Sequence, residues 1–123
     1  MKRSGFSSLS VDKLVECFIE ITLAQDEALL MDDYSRFNRL FAQMEAVKAE
    51  LKGRPGDGRR ALLRLFDHPN AQVRLKAAKA TLAIDPQGAR NVLEMIAKSQ
   101  DYPQAGEAGM SLWNLDRGIF KPV

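Results

Sequence analysis

The sequence predicts an all-α fold, with about six helices in a single domain that spans residues 1–123. Ala, Leu, Glu, Lys, Arg and Met dominate the composition and favour helices, whereas aromatic and β-branched residues are few. Apolar residues recur at steps of three and four, and no run shows the two-residue alternation of a strand. An internal repeat in the C-terminal half is typical of stacked helical hairpins.

Two longer helices are predicted within residues 10–53. The first begins at Val11, where apolar residues start to follow one helical stripe, and Ser10 has the side chain of an N-cap. It ends near the Asp32–Asp33 pair, because either carboxylate suits the positive N-terminal end of the helix that follows.

The second helix begins at Tyr34 and keeps a clean helical period to Leu51. Gly53 is expected to take the left-handed conformation that often follows a helix C-terminus. The glycine-rich segment 55–58 stops the helix, and it lacks the Lys-Ser or Lys-Thr ending of a phosphate-binding loop. This segment is therefore predicted to be a turn.

Four shorter helices complete the predicted fold. Asn70 and Asp85 are expected N-caps, and Pro86 and Pro103 are placed in first helical turns, where a missing backbone N–H does no harm. Gly118 is placed to end the last helix. The four helices are predicted at about residues 58–66, 71–84, 86–98 and 103–115.

An internal repeat covers residues 55–116. Shifting the segment 55–85 forward by 31 positions aligns it with residues 86–116 without a gap. Large residues then meet large ones and small residues meet small ones, as expected when two helices joined by a tight turn pack closely through small side chains. The matched pairs include Leu62 with Leu93, Leu65 with Ile96, Ala77 with Ala108, Ala78 with Gly109 and Leu82 with Trp113.

Part of the first copy resembles the second-helix signature of HEAT-like repeats. In that signature an Asp in the turn precedes a Val-Arg pair, an Ala-Ala pair and a Leu, which correspond here to Asp67, Val73, Arg74, Ala77, Ala78 and Leu82. The second copy has Gln104 and Ala105 where Val and Arg are expected. The whole chain also resembles a small bacterial family of uncharacterised HEAT-like domain proteins.

The resemblance implies a short α-α superhelix built from two HEAT-like hairpins. It gives Asp67 and Arg74 a structural role, in which they tie the turn to the helix. Leu93, Ala108 and Trp113 are then the structural residues of the second copy, with Trp113 closing the exposed end of the stack. The family brings no known activity with it.

The charges are unevenly distributed, although the formal net charge is only +2. Residues 1–50 carry six Lys or Arg against nine Asp or Glu, whereas residues 51–123 carry twelve against seven. Residues 52–79 contain eight basic and two acidic residues, which predicts a surface that attracts anions. The candidates for binding a partner or an anion are Arg54, Arg59, Arg60, Arg64, Lys76 and Lys79.

Helix positions support two parts of this candidate surface. Arg59 and Arg60 lie at a predicted helix start, where free N–H groups and the helix dipole favour an anion. Lys76 and Lys79 are expected on the polar face of the helix at 71–84. The competing interpretation is a solvated face with scattered ion pairs.

No catalytic or metal-binding residues are predicted. Cys17 and His68 are the only cysteine and histidine, so the chain has neither an internal disulfide nor a zinc ligand set. Glu16 and Glu20 share a helix face, but no histidine or Asp-x-Asp ligand loop accompanies them. His68 precedes Pro69 and is expected to cap the last carbonyls of a helix. We therefore predict no cofactor and no metal.

These observations favour a non-enzymatic protein-interaction module, with another protein as its partner. One alternative is nucleic-acid binding, in which the basic residues of 52–79 contact a phosphate backbone. A second alternative is an immunity-like or accessory subunit of a larger complex. Charged residues interrupt the first apolar stretch, so no signal peptide or membrane span is expected, and we predict a cytoplasmic protein. The sequence does not indicate an oligomeric state.

Overall fold

The computed structural model describes residues 5–123, and all regular structure in that range is helical, which confirms the predicted all-α class. The chain divides into two compact units, of which the first ends at Ala61 and the second is Leu62–Val123. Five α-helices and two 3₁₀ helices occur among the described residues. Both predicted long helices belong to the first unit, and the last three shorter ones belong to the second.

A 3₁₀ helix at Gly5–Ser8 precedes the two long helices, α1 (Val11–Leu30) and α2 (Tyr34–Lys52). Helix α1 begins where predicted, because Ser10 Oγ accepts a hydrogen bond from Lys13 N at 3.1 Å. The apolar stripe of each helix packs against the other helix. The buried residues of the two helices include Leu14, Phe18, Ala28, Met44, Val47 and Leu51.

The turn after α2 differs from the prediction. Gly53 is right-handed, with φ −76°, and its N–H donates to Ala49 O, so the last turn of α2 closes without a left-handed residue. The left-handed residues come later, at Gly56 with φ 71° and Asp57 with φ 62°. Because the ring of Pro55 fixes φ and removes an N–H donor, the chain reverses after this proline instead of before it.

Gly58 lies against the end of α2, and this contact requires a glycine. A Cβ atom at residue 58 would lie 2.8 Å from Leu51 O, closer than a side-chain carbon normally approaches. We expect Gly58→Ala to lower the free energy of unfolding by about 1–3 kcal/mol, measured by urea denaturation. Gly53→Ala is the control, because its Cβ would be 3.7 Å from its nearest neighbours. Equal losses in the two variants would contradict this account.

The predicted α-helix at residues 58–66 is instead a 3₁₀ helix, Gly58–Leu65. Its N–H groups bond three residues back, as Arg60 N does to Asp57 O at 3.1 Å. The chain leaves the helix soon afterwards because Pro69 disfavours the helical conformation for the residue before it.

The second unit contains α3 (Ala71–Ala80), α4 (Pro86–Ala97) and α5 (Gln104–Asp116), which pack against one another. Two predicted N-caps are confirmed. The Asn70 side chain accepts hydrogen bonds from two N–H groups of α3, and the Asp85 side chain accepts one from α4. These caps fix where α3 and α4 begin.

Helix α3 ends four residues before the predicted end at residue 84. Thr81 is fully buried, and its hydroxyl donates to Ala77 O at 2.8 Å. Its own carbonyl accepts from Ile84 N and Asp85 N, both at 2.9 Å. Thr81 N donates to Ala78 O at 3.2 Å, three residues back, so α-helical bonding stops here and residues 81–84 form a turn.

The ends of α5 match the prediction only in part. Pro103 occupies the N-cap position after a cis Tyr102–Pro103 bond, whereas it was expected within the first helical turn. At the other end, Gly118 follows the helix with φ 69°, as predicted.

The core of the second unit is built from large aliphatic residues and alanines of all three α-helices. The matched alanines Ala77 and Ala108 both have no exposed surface, as the internal repeat predicts. Leu82 and Trp113 are also matched in sequence, but Leu82 is 5% exposed and Trp113 is 49% exposed. The core cluster consists of Leu75, Ala78, Leu82, Ala89, Leu93, Ile96 and Ala108.

Candidate functional site

In the first unit, two predicted anion-binding arginines contact carboxylates of the protein. Arg59 is only 8% exposed, and its Nη2 lies 2.7 Å from Asp57 Oδ2. The hydrogen bond from Arg59 lowers the pKa of Asp57, although burial opposes the shift, and the same bond raises the pKa of Arg59. Arg54 Nε donates to Glu50 Oε2 at 2.8 Å, and its Nη2 donates to Phe6 O at 3.1 Å. Both arginines therefore hold local structure together.

In the second unit, Lys76 and Lys79 share one carboxylate. Lys76 Nζ lies 2.6 Å and Lys79 Nζ 2.8 Å from Glu107 Oε2. Burial raises the pKa of Glu107, but the charges and hydrogen bonds of the two lysines outweigh burial, so its pKa lies below that of an ordinary glutamate. The expectation that Lys76 lies on a polar face is wrong, because its side chain is 5% exposed. It joins α3 to α5.

The remaining two basic candidates, Arg60 and Arg64, are exposed. Arg60 Nε donates to Gly56 O at 3.1 Å. This acceptor is a neutral backbone carbonyl, so it does not neutralise the charge of the guanidinium. Four of the six predicted residues thus contact carboxylates, and the other two have exposed side chains. All four form ion pairs, as the competing interpretation expects, but Arg59 and Lys76 are buried instead of lying on a solvated face.

Asp67 and Arg74, which the resemblance makes structural residues that tie the turn to the helix, form no hydrogen bond or ion pair with each other within residues 5–123. Arg74 Nη2 instead lies 3.9 Å from Asp101 Oδ2. Both Asp67 and Arg74 line a cavity of about 480 Å³ in the second unit. Val73, the other member of the signature pair, is fully buried.

Helix α5 carries an outward surface that is mostly apolar and ends at one arginine, and we call it the α5 outer face. Its residues follow at helical steps on the side opposite the buried Ala105 and Ala108. Met110 is 58% exposed and Trp113 is 49% exposed, and a shallow cavity of about 280 Å³ lies beside them. The α5 outer face consists of Gly106, Gly109, Met110, Trp113 and Arg117.

A cation–π contact holds the aromatic residue of this face. Arg117 Cζ lies 4.4 Å from the centroid of the Trp113 ring, within the range of a favourable interaction. Gly106 and Gly109 have no side chains, so the helix backbone beside the ring is uncovered. A Cβ at either position would meet no atom within 4 Å. The fold therefore does not require a glycine at these positions for internal packing.

Sequence reasoning included Trp113 only as a structural residue, and it missed the rest of the α5 outer face. The spacing of Gly106, Met110, Trp113 and Arg117 could have shown it, because steps of four, three and four place these residues along one side of a helix. The structural role that the resemblance gives to Trp113 concealed this signal.

The described part of the chain has neither a metal-binding cluster nor a helix that could span a membrane. Residues 5–123 contain no group of three or more His, Cys, Asp or Glu side chains arranged to hold a metal ion. No helix among the same residues combines the length and apolar character needed to cross a membrane.

Known proteins resemble the chain along most of its length. A family model described as a domain of unknown function (DUF2019) matches residues 12–116. The crystal structure of the protein RPA1889 from Rhodopseudomonas palustris CGA009 is similar, with 51% sequence identity and a TM-score of 0.95 over 98% of this chain and 100% of that one. The chain matches no curated protein.

Proposed function

The chain belongs to the family described as a domain of unknown function, DUF2019, and we propose that it is a non-enzymatic protein-interaction module that binds another protein through the α5 outer face. The observation that carries the proposal is the exposure of Met110 and Trp113 on one side of α5. Exposed apolar surface is unfavourable in water, and contiguous patches commonly mark interaction sites.

The composition of the α5 outer face suits a binding hot spot. Trp and Arg are enriched among the residues that dominate binding energy, and this face has one of each in contact. Arg117 limits the freedom of the Trp113 ring before a partner arrives, which reduces the entropy lost on binding.

The two glycines of the face support the same proposal. A glycine within a helix costs about 0.5–1 kcal/mol relative to alanine. Gly106 and Gly109 do not offset this cost with a close internal contact. The low surface that they leave beside Trp113 allows the backbone or a bulky side chain of a partner to approach α5 closely.

In this proposal, the segment 55–116 forms the two HEAT-like hairpins that the sequence indicates, and α5 is the second helix of the second hairpin. Within residues 5–123, Met110 and Trp113 on the outer side of α5 are exposed, so that side is available to a different protein. Arg117 is exposed on the α5 outer face, and it provides positive charge that orients an acidic partner. Nucleic-acid binding has less support, because four of the six candidate cations already contact carboxylates.

Co-purification from the organism that encodes the chain tests this proposal. The bait is the full chain with Met110→Gln and Trp113→Gln, compared with the native chain. A control bait carries Leu30→Gln and Met31→Gln, which change residues of the first unit that are 78% and 73% exposed. We expect a partner that the native and control baits retain and that the α5 variant loses by at least about tenfold. Equal retention by all three baits, or no retained protein, would argue against the proposal.

Gly106→Ala should separate stability from binding. Because its Cβ would meet no neighbour, we expect the free energy of unfolding to rise by about 0.5–1 kcal/mol, measured by urea denaturation. The same methyl group projects from the α5 outer face and should weaken binding of the partner. A loss of stability would show that residue 106 is packed inside the protein.

A further inference from the structure

We propose that the cavity beside Arg74 is a binding site for a small zwitterion with an apolar side chain, of which an apolar α-amino acid is the simplest. The cavity belongs entirely to the second unit and lies apart from the residues that define the α5 outer face. Its volume of about 480 Å³ lies within the range of small-molecule sites. This inference does not depend on the proposed function.

The first supporting observation is the incomplete bonding of Arg74. Within residues 5–123 its guanidinium donates no hydrogen bond, and its Nε is buried with no acceptor. Its one ion-pair contact, to Asp101 Oδ2, is 3.9 Å long, and Asp101 is 57% exposed. A guanidinium has five N–H donors and a geometry that suits a carboxylate, so Arg74 can bind the carboxylate of a ligand.

The second observation is an acidic group at the same cavity. Asp67 is exposed, and its carboxylate makes no hydrogen bond or ion pair with a described residue. A ligand with only a negative charge would be attracted by Arg74 but repelled by Asp67 and Asp101. A zwitterion gains from both signs, because its ammonium group can approach the carboxylates while its carboxylate approaches Arg74.

The third observation concerns the rest of the cavity wall. Phe66, Pro69, Val92 and Met95 provide an apolar surface for the side chain of the ligand. His68 adds a polar group. Its Nδ1 accepts a hydrogen bond from Asn70 N at 3.0 Å, so the proton of the neutral ring is on Nε2, which can donate. This differs from the prediction that His68 caps the carbonyls of a helix.

Three related probes on the native protein test the site without any substitution. L-phenylalanine is the zwitterion, phenylpropionate lacks its amino group, and phenethylamine lacks its carboxylate. In NMR titrations we expect L-phenylalanine to bind with a Kd of about 1 mM or tighter and to shift signals of Val92 and Met95. The other two probes should bind at least about fivefold more weakly. Equal binding of the three, shifts confined to other residues, or no binding at about 10 mM would overturn the proposal.

Two variants then test whether Arg74 and Asp67 bind the charged groups of the ligand. Arg74→Gln should weaken L-phenylalanine binding about tenfold, whereas Arg39→Gln removes an exposed arginine of the first unit and should leave it unchanged. Asp67→Asn should weaken L-phenylalanine binding and strengthen phenylpropionate binding. A role of Asp67 in the fold alone would change both affinities in the same direction, and that result would contradict the proposed ligand class.

Discussion

Leu82→Ala should lower the free energy of unfolding by about 2–5 kcal/mol. Leu82 is 5% exposed and belongs to the core cluster of the second unit, where it packs with residues of α3, α4 and α5. Removing its isobutyl group loses the transfer free energy of the buried carbons and leaves a cavity, since packed helices relax only partly. Urea denaturation followed by circular dichroism gives the measurement.

Leu30→Ala provides the matched control, because it makes the same chemical change at a residue that is 78% exposed. We expect its effect to stay within about 0.5 kcal/mol. Similar losses at both positions would mean that Leu82 does not lie in a packed core.

Glu107→Gln should cost about 3 kcal/mol at neutral pH. The change removes the negative charge that lies within hydrogen-bonding distance of both Lys76 and Lys79. The two ammonium groups then face a neutral amide, and one of them, on Lys76, is 5% exposed. Charge-assisted hydrogen bonds in such surroundings contribute more than those at a solvated surface.

The effect of Glu107→Gln should depend on pH in a defined direction. The pKa of Glu107 is lower in the folded chain than in the unfolded one, so its contribution is complete above about pH 4.5. As the pH falls through the folded-state pKa, the carboxylate takes up a proton and the contribution is lost. The stability difference between native protein and variant should therefore shrink in acid.

Glu94→Gln is the control for this prediction. Glu94 Oε2 lies 3.1 Å from Arg90 Nε, but the glutamate side chain is 42% exposed, and exposed pairs of this kind contribute about 0–1 kcal/mol. A loss at Glu107 no larger than that at Glu94, or one that does not change between neutral and acid pH, would show that the lysine pair gains little from Glu107.

Local patterns predicted the helices well because caps and apolar periods act over a few residues. Ser10, Asn70 and Asp85 all cap helices as their side chains indicate. The errors arose where neighbouring residues compete with the helix. At Thr81 the backbone N–H donates three residues back and α3 ends early, and Pro69 disfavours a helical conformation for the residue that follows the 3₁₀ helix Gly58–Leu65 by three positions.

The candidate site was harder to predict, because it depends on which charges meet in three dimensions. The sequence shows that residues 52–79 are rich in basic side chains, but it does not show which carboxylates these side chains contact. Lys76 pairs with Glu107, which lies 31 residues away in the sequence. Sequence distance gives no indication of that pair. Trp113 shows a related problem, since the sequence gives it a structural role at the exposed end of the stack and does not indicate that its ring, which is 49% exposed, lies against Arg117.

The central claim is that the α5 outer face binds a partner protein. The most direct test is a calorimetric titration that compares the Kd of the co-purified partner for the native chain and for a Gly106→Ala, Gly109→Ala double variant. Both methyl groups enter space that is open in the isolated chain, so the variant should be at least as stable as the native protein. We expect its Kd to be at least about tenfold higher, because the partner can no longer approach α5 closely. An unchanged Kd with intact stability would contradict the claim.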